Sequence, residues 1–280
     1  MRACAILVLS LLLGGCEYGR HLVAMMRSTS AFTACTPDPR ILCEPGAEGL
    51  AARIAPLVPP ALATIGGKQF PSFPQPVRIH VYASRDSFSR YSAAGTGAAG
   101  VVTRGAVHIS PVILTHPDGP AQIVAHELSH LNLAQHLGPW RMVRLPGWFS
   151  EGLATWASGG GGGLAYEPNI RHAIRNGRHF EPIDLQPWWR PFQTPPERMS
   201  WPVYYNQTRM FVTFMHERDP QAFRAMLGRL GERVPFAEAV STAYGRPLAA
   251  LWREFVASLA AASAASSASA AGTGTYGLTP

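Results

Sequence analysis

The stretch His126-Glu127-Leu128-Ser129-His130 lies in an apolar, helically periodic run from Ala121 to Leu137. Residues four apart on a helix lie about 40° apart around its axis, so His126 and His130 share one face and can bind one metal ion. Glu127 lies beside them and can polarise a water molecule at that metal. This spacing therefore predicts a helix that binds zinc through two imidazoles.

A pentapeptide of this kind can arise by chance. A third ligand elsewhere in the chain is therefore needed to support the prediction of a zinc site. Glu151 follows His130 by twenty-one residues, in the segment Trp148-Phe149-Ser150-Glu151-Gly152-Leu153-Ala154. An H-E-x-x-H helix followed by a second helix that opens W-x-x-E-G-x-A resembles the gluzincins, the thermolysin-like zinc metallopeptidases. The resemblance implies that His126, His130 and Glu151 bind Zn²⁺ and that Glu127 is the general base of peptide-bond hydrolysis.

His136 offers a competing third ligand. It follows His130 by six residues, which is the offset of the third histidine in the metzincin pattern H-E-x-x-H-x-x-G-x-x-H. The metzincin glycine permits a sharp turn back to the metal, whereas this chain has Leu133 at that position. A helix that continues past His130 would carry His136 about 9 Å along the axis and roughly 120° around it. This geometry favours Glu151 as the third ligand.

The gluzincin resemblance has further implications for the substrate cleft. It implies that the short strand predicted over Gly105–Ser110 is an edge strand that hydrogen-bonds an extended peptide. The segment Trp201–Thr208 is similar to a Y-x-Q-[ST] helix start of exported peptidases, which implies that the Tyr205 hydroxyl stabilises the oxyanion. Packing of Tyr204 and Tyr205 is the alternative. Thermolysin-like enzymes often carry an aspartate four residues after the ligand glutamate, and this chain has Thr155 there.

The first residues are typical of an export signal. Arg2 precedes the apolar run Ala3–Leu13, which is too short to span a bilayer as a helix. The following Leu13-Gly14-Gly15-Cys16 resembles the lipobox of bacterial lipoproteins, which implies that Cys16 is acylated. An ordinary cleavable signal is the alternative. Glu17 stands where aspartate often marks inner-membrane retention, so the outer membrane is favoured.

The remaining cysteines also favour export. Cys35 and Cys43 lie eight residues apart, and no other cysteine is left once Cys4 goes with the signal peptide and Cys16 carries lipid. An isolated pair that closes a small loop is typical of an oxidising compartment. We therefore expect a disulfide, with two free thiols as the alternative.

The charge of the chain argues against one class of partner. The formal net charge of +7 comes almost wholly from arginine, with Lys68 as the only lysine. These charges are scattered rather than clustered, so we expect no nucleic-acid partner. Attraction to an anionic membrane surface stays an open alternative.

Hydrophobic periodicity predicts an α+β fold. Val77–Tyr82 and Gly105–Ser110 alternate as short strands do, whereas Pro220–Leu230, Pro235–Tyr244 and Pro247–Leu259 have helical spacing. The gluzincin resemblance implies a zincin-like catalytic domain with a small N-terminal mixed sheet, an active-site helix and a mainly helical C-terminal part.

Composition suggests the domain organisation. We predict a signal peptide over 1–15, a lipidated tether and N-terminal segment over 16–76, the catalytic domain over 77–260, and a disordered Ala/Ser-rich tail over 261–280. Gly95–Gly100 lacks the lysine of a P-loop and is interpreted as a flexible turn. Gly159–Gly163 is interpreted as a mobile loop, with an active-site lid as the alternative.

The sequence thus predicts a zinc-dependent peptidase on a membrane-anchored lipoprotein that faces the periplasm. Its partners would be a peptide or protein substrate and the membrane that holds the lipid on Cys16. The alternative from another class is a catalytically inactive zincin-fold lipoprotein that binds envelope partners as a scaffold. Glu127 speaks against that alternative, because a purely structural zinc does not need the carboxylate.

Overall fold

The computed structural model describes residues 23–24, 26–163, 167–187, 195–196 and 199–272, with side chains described to residue 260. The predicted signal peptide and the Cys16 acylation site lie outside these residues. The chain divides into two compact units, the first ending at His136 and the second beginning at Leu137. This division falls at the end of the helix that carries the H-E-x-x-H motif.

The first unit contains a small mixed sheet of five strands. The strands are β1 (Thr33–Ala34), β2 (Ile41–Cys43), β3 (Ile79–Val81), β4 (Gly100–Thr103) and β5 (Ala106–Ile109). Their order across the sheet is β1-β2-β3-β5-β4. The three inner strands are parallel, and each outer strand is antiparallel to its neighbour. The α+β class is therefore confirmed.

The edge of this sheet is not where the gluzincin resemblance places it. β5 lies between β3 and β4, so the predicted edge strand at Gly105–Ser110 is an inner strand, and β4 forms the edge. Arg104 and Gly105 have φ angles of 52° and 70°, which make a two-residue hairpin turn of the type that favours positive φ at both positions. This turn folds β4 back onto the outer side of β5. Gly100, assigned above to a flexible turn, is the first residue of β4.

Helices and one disulfide complete the first unit. The helices are α1 (Glu48–Ile54), α2 (Val58–Lys68), α3 (Arg85–Ser92) and α4 (Gly119–Leu137), the last ending one residue beyond the unit. The expected disulfide is confirmed, since Cys35 and Cys43 are bonded with their Cα atoms 5.8 Å apart. The stretch Glu48–Lys68 is long and apolar enough to cross a membrane by length and composition alone. Ile54, Val58 and Ile65 within it are buried in the protein.

The second unit is helical throughout its described elements. They are α5 (Pro139–Arg144), α6 (Gly147–Ala157), α7 (Glu167–Arg175), α8 (Trp201–Arg218), α9 (Pro220–Gly231), α10 (Phe236–Tyr244) and α11 (Leu248–Gly272). The last three confirm the helices predicted from periodicity. Helix α11 is rich in alanine, which has the highest helix propensity of any residue. The predicted domain boundaries, including the disordered tail over 261–280, stay predictions.

A buried histidine pair lies side by side in the sheet. His80 on β3 is the register partner of His108 on β5, and their rings are stacked with centroids 5.1 Å apart. His108 Nδ1 lies 2.6 Å from the Tyr82 hydroxyl. Burial, helped by the positive charges of Arg104 and Arg78, lowers the pKa of His80 to about 4. Burial and the neighbouring His80 lower the pKa of His108 to about 3.

This pair is expected to make the protein acid-sensitive. An unfolded histidine titrates near a pKa of about 6.5, so between that pH and about pH 4 the unfolded state binds protons that the folded state does not. Stability is therefore full above the unfolded pKa and is lost as the pH falls. The free energy of unfolding should drop by up to about 1.4 kcal/mol per pH unit for each histidine. Urea denaturation at pH 7 and pH 5 measures the drop.

A matched pair of variants tests whether the pH dependence of stability comes from the His80–His108 pair. His80→Gln should reduce the pH dependence between pH 7 and pH 5, whereas the same change at His172, which is exposed on α7, should leave it intact. An unchanged slope in His80→Gln would contradict the assignment.

Candidate metal centre

One face of α4 carries the residues of the H-E-x-x-H motif. His126 and Glu127 are buried, with 5% and 7% of their surface exposed, and His130 is half-buried. The Nε2 atoms of His126 and His130 lie 3.1 Å apart, so both imidazoles present the same ring nitrogen to one point. Leu128 and Leu131 are fully buried and fix the helix against the core.

The opposite face of α4 is held by the loop that follows α2. Gln69 Nε2 donates a hydrogen bond to Ser129 Oγ at 2.5 Å. The Asn132 side chain accepts from the backbone N–H of Phe70 at 3.3 Å and donates to the carbonyl oxygens of Phe70 at 3.2 Å and Ser72 at 2.8 Å. At 100° per residue, Asn132 lies about 200° around the helix from His130. These bonds therefore fix the rotation of α4 about its axis and the direction of its histidines.

The same loop also accounts for His136. Its Nε2 atom lies 3.0 Å from the carbonyl oxygen of Ser72, and its ring stacks on Phe70 with the centroids 4.1 Å apart. His136 does not belong to the cluster of candidate metal ligands in the described chain. The competing metzincin register therefore gains no support.

The third candidate ligand, Glu151, lies on α6. Helices α6 and α8 pack against each other more extensively than any other two described helices. Trp148 is fully buried and donates from Nε1 to the carbonyl oxygen of Ile183 at 2.7 Å. A Cβ atom added at Gly152 would lie 2.7 Å from the carbonyl oxygen of Thr208 on α8. The glycine after Glu151 thus lets the backbone of α8 approach this turn of α6 directly.

Three side chains on the described chain form a group that could bind a metal ion. They are His126, His130 and Glu151, and one ligand atom from each lies within 4.8 Å of the other two. Two ligand nitrogens bound tetrahedrally to zinc at about 2.0–2.1 Å would be about 3.3 Å apart, close to the observed Nε2 separation. Two imidazoles and one carboxylate also match the donor set of a catalytic zinc site. The residues present therefore fit a divalent metal ion such as zinc.

Glu127 lies against the sheet edge. A Cβ atom added at Gly100 would lie 2.7 Å from Glu127 Cγ and 2.9 Å from its Oε1 atom. The first residue of β4 is thus in direct contact with the carboxyl side chain next to the two histidines. Gly100 brings the edge strand and the predicted general base together.

Two adjacent tyrosines on α8 differ in their surroundings. Tyr204 is fully buried, and its hydroxyl makes no hydrogen bond to the described residues. Burial, together with the negative charge of Glu151, raises the pKa of Tyr204 well above its usual value. Tyr205 is half-buried beside Trp201, and a Cβ atom added at Gly162 would lie 2.6 Å from its ring. The predicted oxyanion role of Tyr205 stays a prediction.

The glycine run after α6 is hydrogen-bonded to the end of that helix. Gly160 N–H donates to the carbonyl oxygen of Thr155 at 2.8 Å, and Gly163 N–H donates to the carbonyl oxygen of Gly160 at 2.9 Å. Asn206 Nδ2 donates to the carbonyl oxygen of Gly163 at 3.2 Å. Thr155 itself is fully buried, and its Oγ1 atom makes no hydrogen bond within the described chain. It does not replace the orienting aspartate of thermolysin-like enzymes.

Sequence reasoning missed Gly100, Gln69 and Asn132 as parts of this site. A hairpin signal was present for Gly100, because Val101-Val102-Thr103 and Ala106-Val107-His108-Ile109 are strand-forming runs separated by two residues. Nothing local marks the anchoring of Asn132, which depends on residues sixty positions earlier.

Comparison of the chain with protein-family models and with curated proteins found no match. The gluzincin resemblance therefore rests on the motifs, and the structure adds the grouping of His126, His130 and Glu151.

Proposed function

We propose that this protein is a zinc-dependent peptidase of the gluzincin type that hydrolyses peptide bonds with Glu127 as general base. The observation that carries the proposal is the convergence of His126, His130 and Glu151, whose ligand atoms lie within 4.8 Å of one another. The positions are those that the gluzincin motif requires. Glu127 supports a catalytic rather than a structural metal, because no structural site needs a carboxylate beside its ligands.

The chain's own residues have separate parts in the reaction. The chemistry that zinc supplies in such sites is Lewis-acid activation of a water molecule and of the scissile carbonyl. Glu127 accepts the proton of the attacking water on its carboxylate and delivers it to the leaving amine. In this proposal the Tyr205 hydroxyl donates a hydrogen bond to the developing oxyanion. Burial of Glu127 excludes bulk water from the base and strengthens its interactions.

The outer edge of β4 supports an extended peptide as the substrate. β4 has a strand partner on one side only among the described strands, so its outer backbone groups can pair with a peptide as an added strand. Its first residue, Gly100, contacts Glu127. A peptide aligned along β4 would therefore pass the general base, which is the arrangement that hydrolysis of its backbone requires.

We further propose that the protein is a lipoprotein of the bacterial cell envelope, held by lipid on Cys16 and facing the periplasm, with the outer membrane favoured. The Leu13-Gly14-Gly15-Cys16 sequence supports the anchor. The Cys35–Cys43 disulfide supports an oxidising compartment. No nucleic-acid partner is proposed.

Metal analysis combined with a hydrolysis assay tests the proposed function. The purified protein should contain about one zinc per chain and should cleave an unfolded protein substrate. A chelator should abolish the cleavage, and added zinc should restore it, because the ligand groups hold the metal reversibly. Zinc bound without any hydrolysis would instead favour the scaffold alternative. A folded protein that takes up no metal would contradict both.

A further inference from the structure

We propose that Gly100 is a positioning residue for Glu127, and that the missing side chain at this position fixes where the carboxylate lies. The catalytic consequence of this inference rests on the proposed function. The contact between Gly100 and Glu127 does not rest on that function, because it can be tested in the metal-free protein. Gly100 stands at the first position of the edge strand β4, twenty-seven residues before Glu127.

The contact involves most of the glutamate side chain. A Cβ atom at Gly100 would lie 2.7 Å from Cγ, 2.9 Å from Oε1 and 3.0 Å from Cδ of Glu127. Real Cβ atoms essentially never come this close to other heavy atoms, so either the strand or the glutamate would have to move. Since Glu127 is 7% exposed, its side chain is enclosed and has few other rotamers to adopt.

The φ angle at position 100 does not require glycine. Gly105 at the hairpin turn has a positive φ angle, which favours glycine, but Gly100 is not among the described residues with positive φ. An alanine could therefore adopt the backbone conformation of Gly100 without strain. What an alanine could not do is leave room for Glu127.

The strand is fixed at this point, so it cannot easily yield. Gly100 pairs with Ile109, which is fully buried on β5. The backbone N–H of Ser110 donates to the carbonyl oxygen of Ala99 at 2.9 Å. These pairings hold the backbone at Gly100 and at the residue before it. A side chain added at Gly100 would consequently displace the carboxylate rather than the strand.

Gly100→Ala should therefore act on catalysis through Glu127. We expect kcat to fall by about 10–100-fold, because a misplacement of about 1 Å at a catalytic group has an effect of this size. KM and zinc content should stay unchanged, because neither the metal ligands nor the outer edge of β4 is altered. Gly97→Ala is the matched control, since a Cβ atom at Gly97 has nothing within 4 Å. It should leave kcat, KM and zinc content unaffected.

A double-mutant cycle on the metal-free protein tests the contact without any assay of activity. Gly100→Ala should lower Tm on the order of 5 °C, because overpacking a buried contact destabilises the fold. In the Glu127→Ala background the same change should lower Tm by less than about 2 °C, because the atoms that clash are gone. If Gly100→Ala alone fails to fold, the double variant should still fold.

The two proposals fail in different ways. Equal Tm losses in both backgrounds, or an unchanged kcat in Gly100→Ala, would overturn the positioning role of Gly100. A wild-type protein that binds zinc and hydrolyses nothing would overturn the proposed function, and the Tm cycle would still decide whether Gly100 fixes the place of Glu127.

Discussion

Replacing Glu127 by glutamine should leave zinc bound and lower kcat by about 10²–10⁴-fold, the usual contribution of a general base. Glutamine has nearly the same shape as glutamate, so it should fit beside Gly100 as glutamate does. It cannot accept the proton of the attacking water. The measurements are kcat and KM with a peptide substrate, together with the zinc content of the same preparation.

The pairing of these measurements makes the result decisive. Loss of kcat with full zinc content and unchanged Tm assigns the defect to chemistry rather than to folding or metal binding. Glu181→Gln, purified and assayed in the same way, is a suitable control. The Glu181 side chain is 83% exposed and does not belong to the group of candidate metal ligands. Full proteolysis in Glu127→Gln would contradict the general-base role of Glu127.

Replacing Glu151 by alanine should weaken zinc binding by at least about 100-fold. Loss of a group that merely orients a metal ligand already reduces affinity by about 10–100-fold, so loss of a ligand should cost at least as much. Glu151 is the one carboxylate grouped with His126 and His130 as a candidate ligand in the described part of the chain. Competition with a chromogenic chelator measures the affinity.

His136→Ala separates the two possible registers of the third ligand. His136 contacts Ser72 and Phe70, so its removal should lower Tm slightly and leave zinc affinity intact. The opposite pattern, with zinc affinity lost in His136→Ala and kept in Glu151→Ala, would show that the metzincin register is the correct one.

The parts of the site that sequence predicts are those fixed by helix geometry. His126 and His130 share a face because four residues make about one helical turn, whatever surrounds the helix. Local helix geometry does not predict that Glu151 approaches these histidines. That prediction rests on the gluzincin resemblance of the segment around Glu151. The structure brings all three together. The catalytic roles of Glu127 and Tyr205 stay predictions.

The parts that sequence missed depend on which strands become neighbours. Strand order is a tertiary property. The gluzincin resemblance implies an edge strand at Gly105–Ser110, whereas a hairpin turn at Arg104 and Gly105 places β4 outside it. The flexible turn predicted over Gly95–Gly100 likewise ends in Gly100, a residue of β4. Only the packing of Glu127 shows that a side chain is excluded there.

The close approach of α8 to α6 at Gly152 has a consequence for finding related sites in other genomes. The glutamate and the glycine of the E-G pair meet separate requirements, since Glu151 supplies a ligand atom and Gly152 admits the carbonyl oxygen of Thr208. A sequence with the glutamate but with a larger residue after it would need a different spacing between these two helices. A search pattern that demands both residues should therefore select chains that share this helix pairing as well as chains that share the ligand.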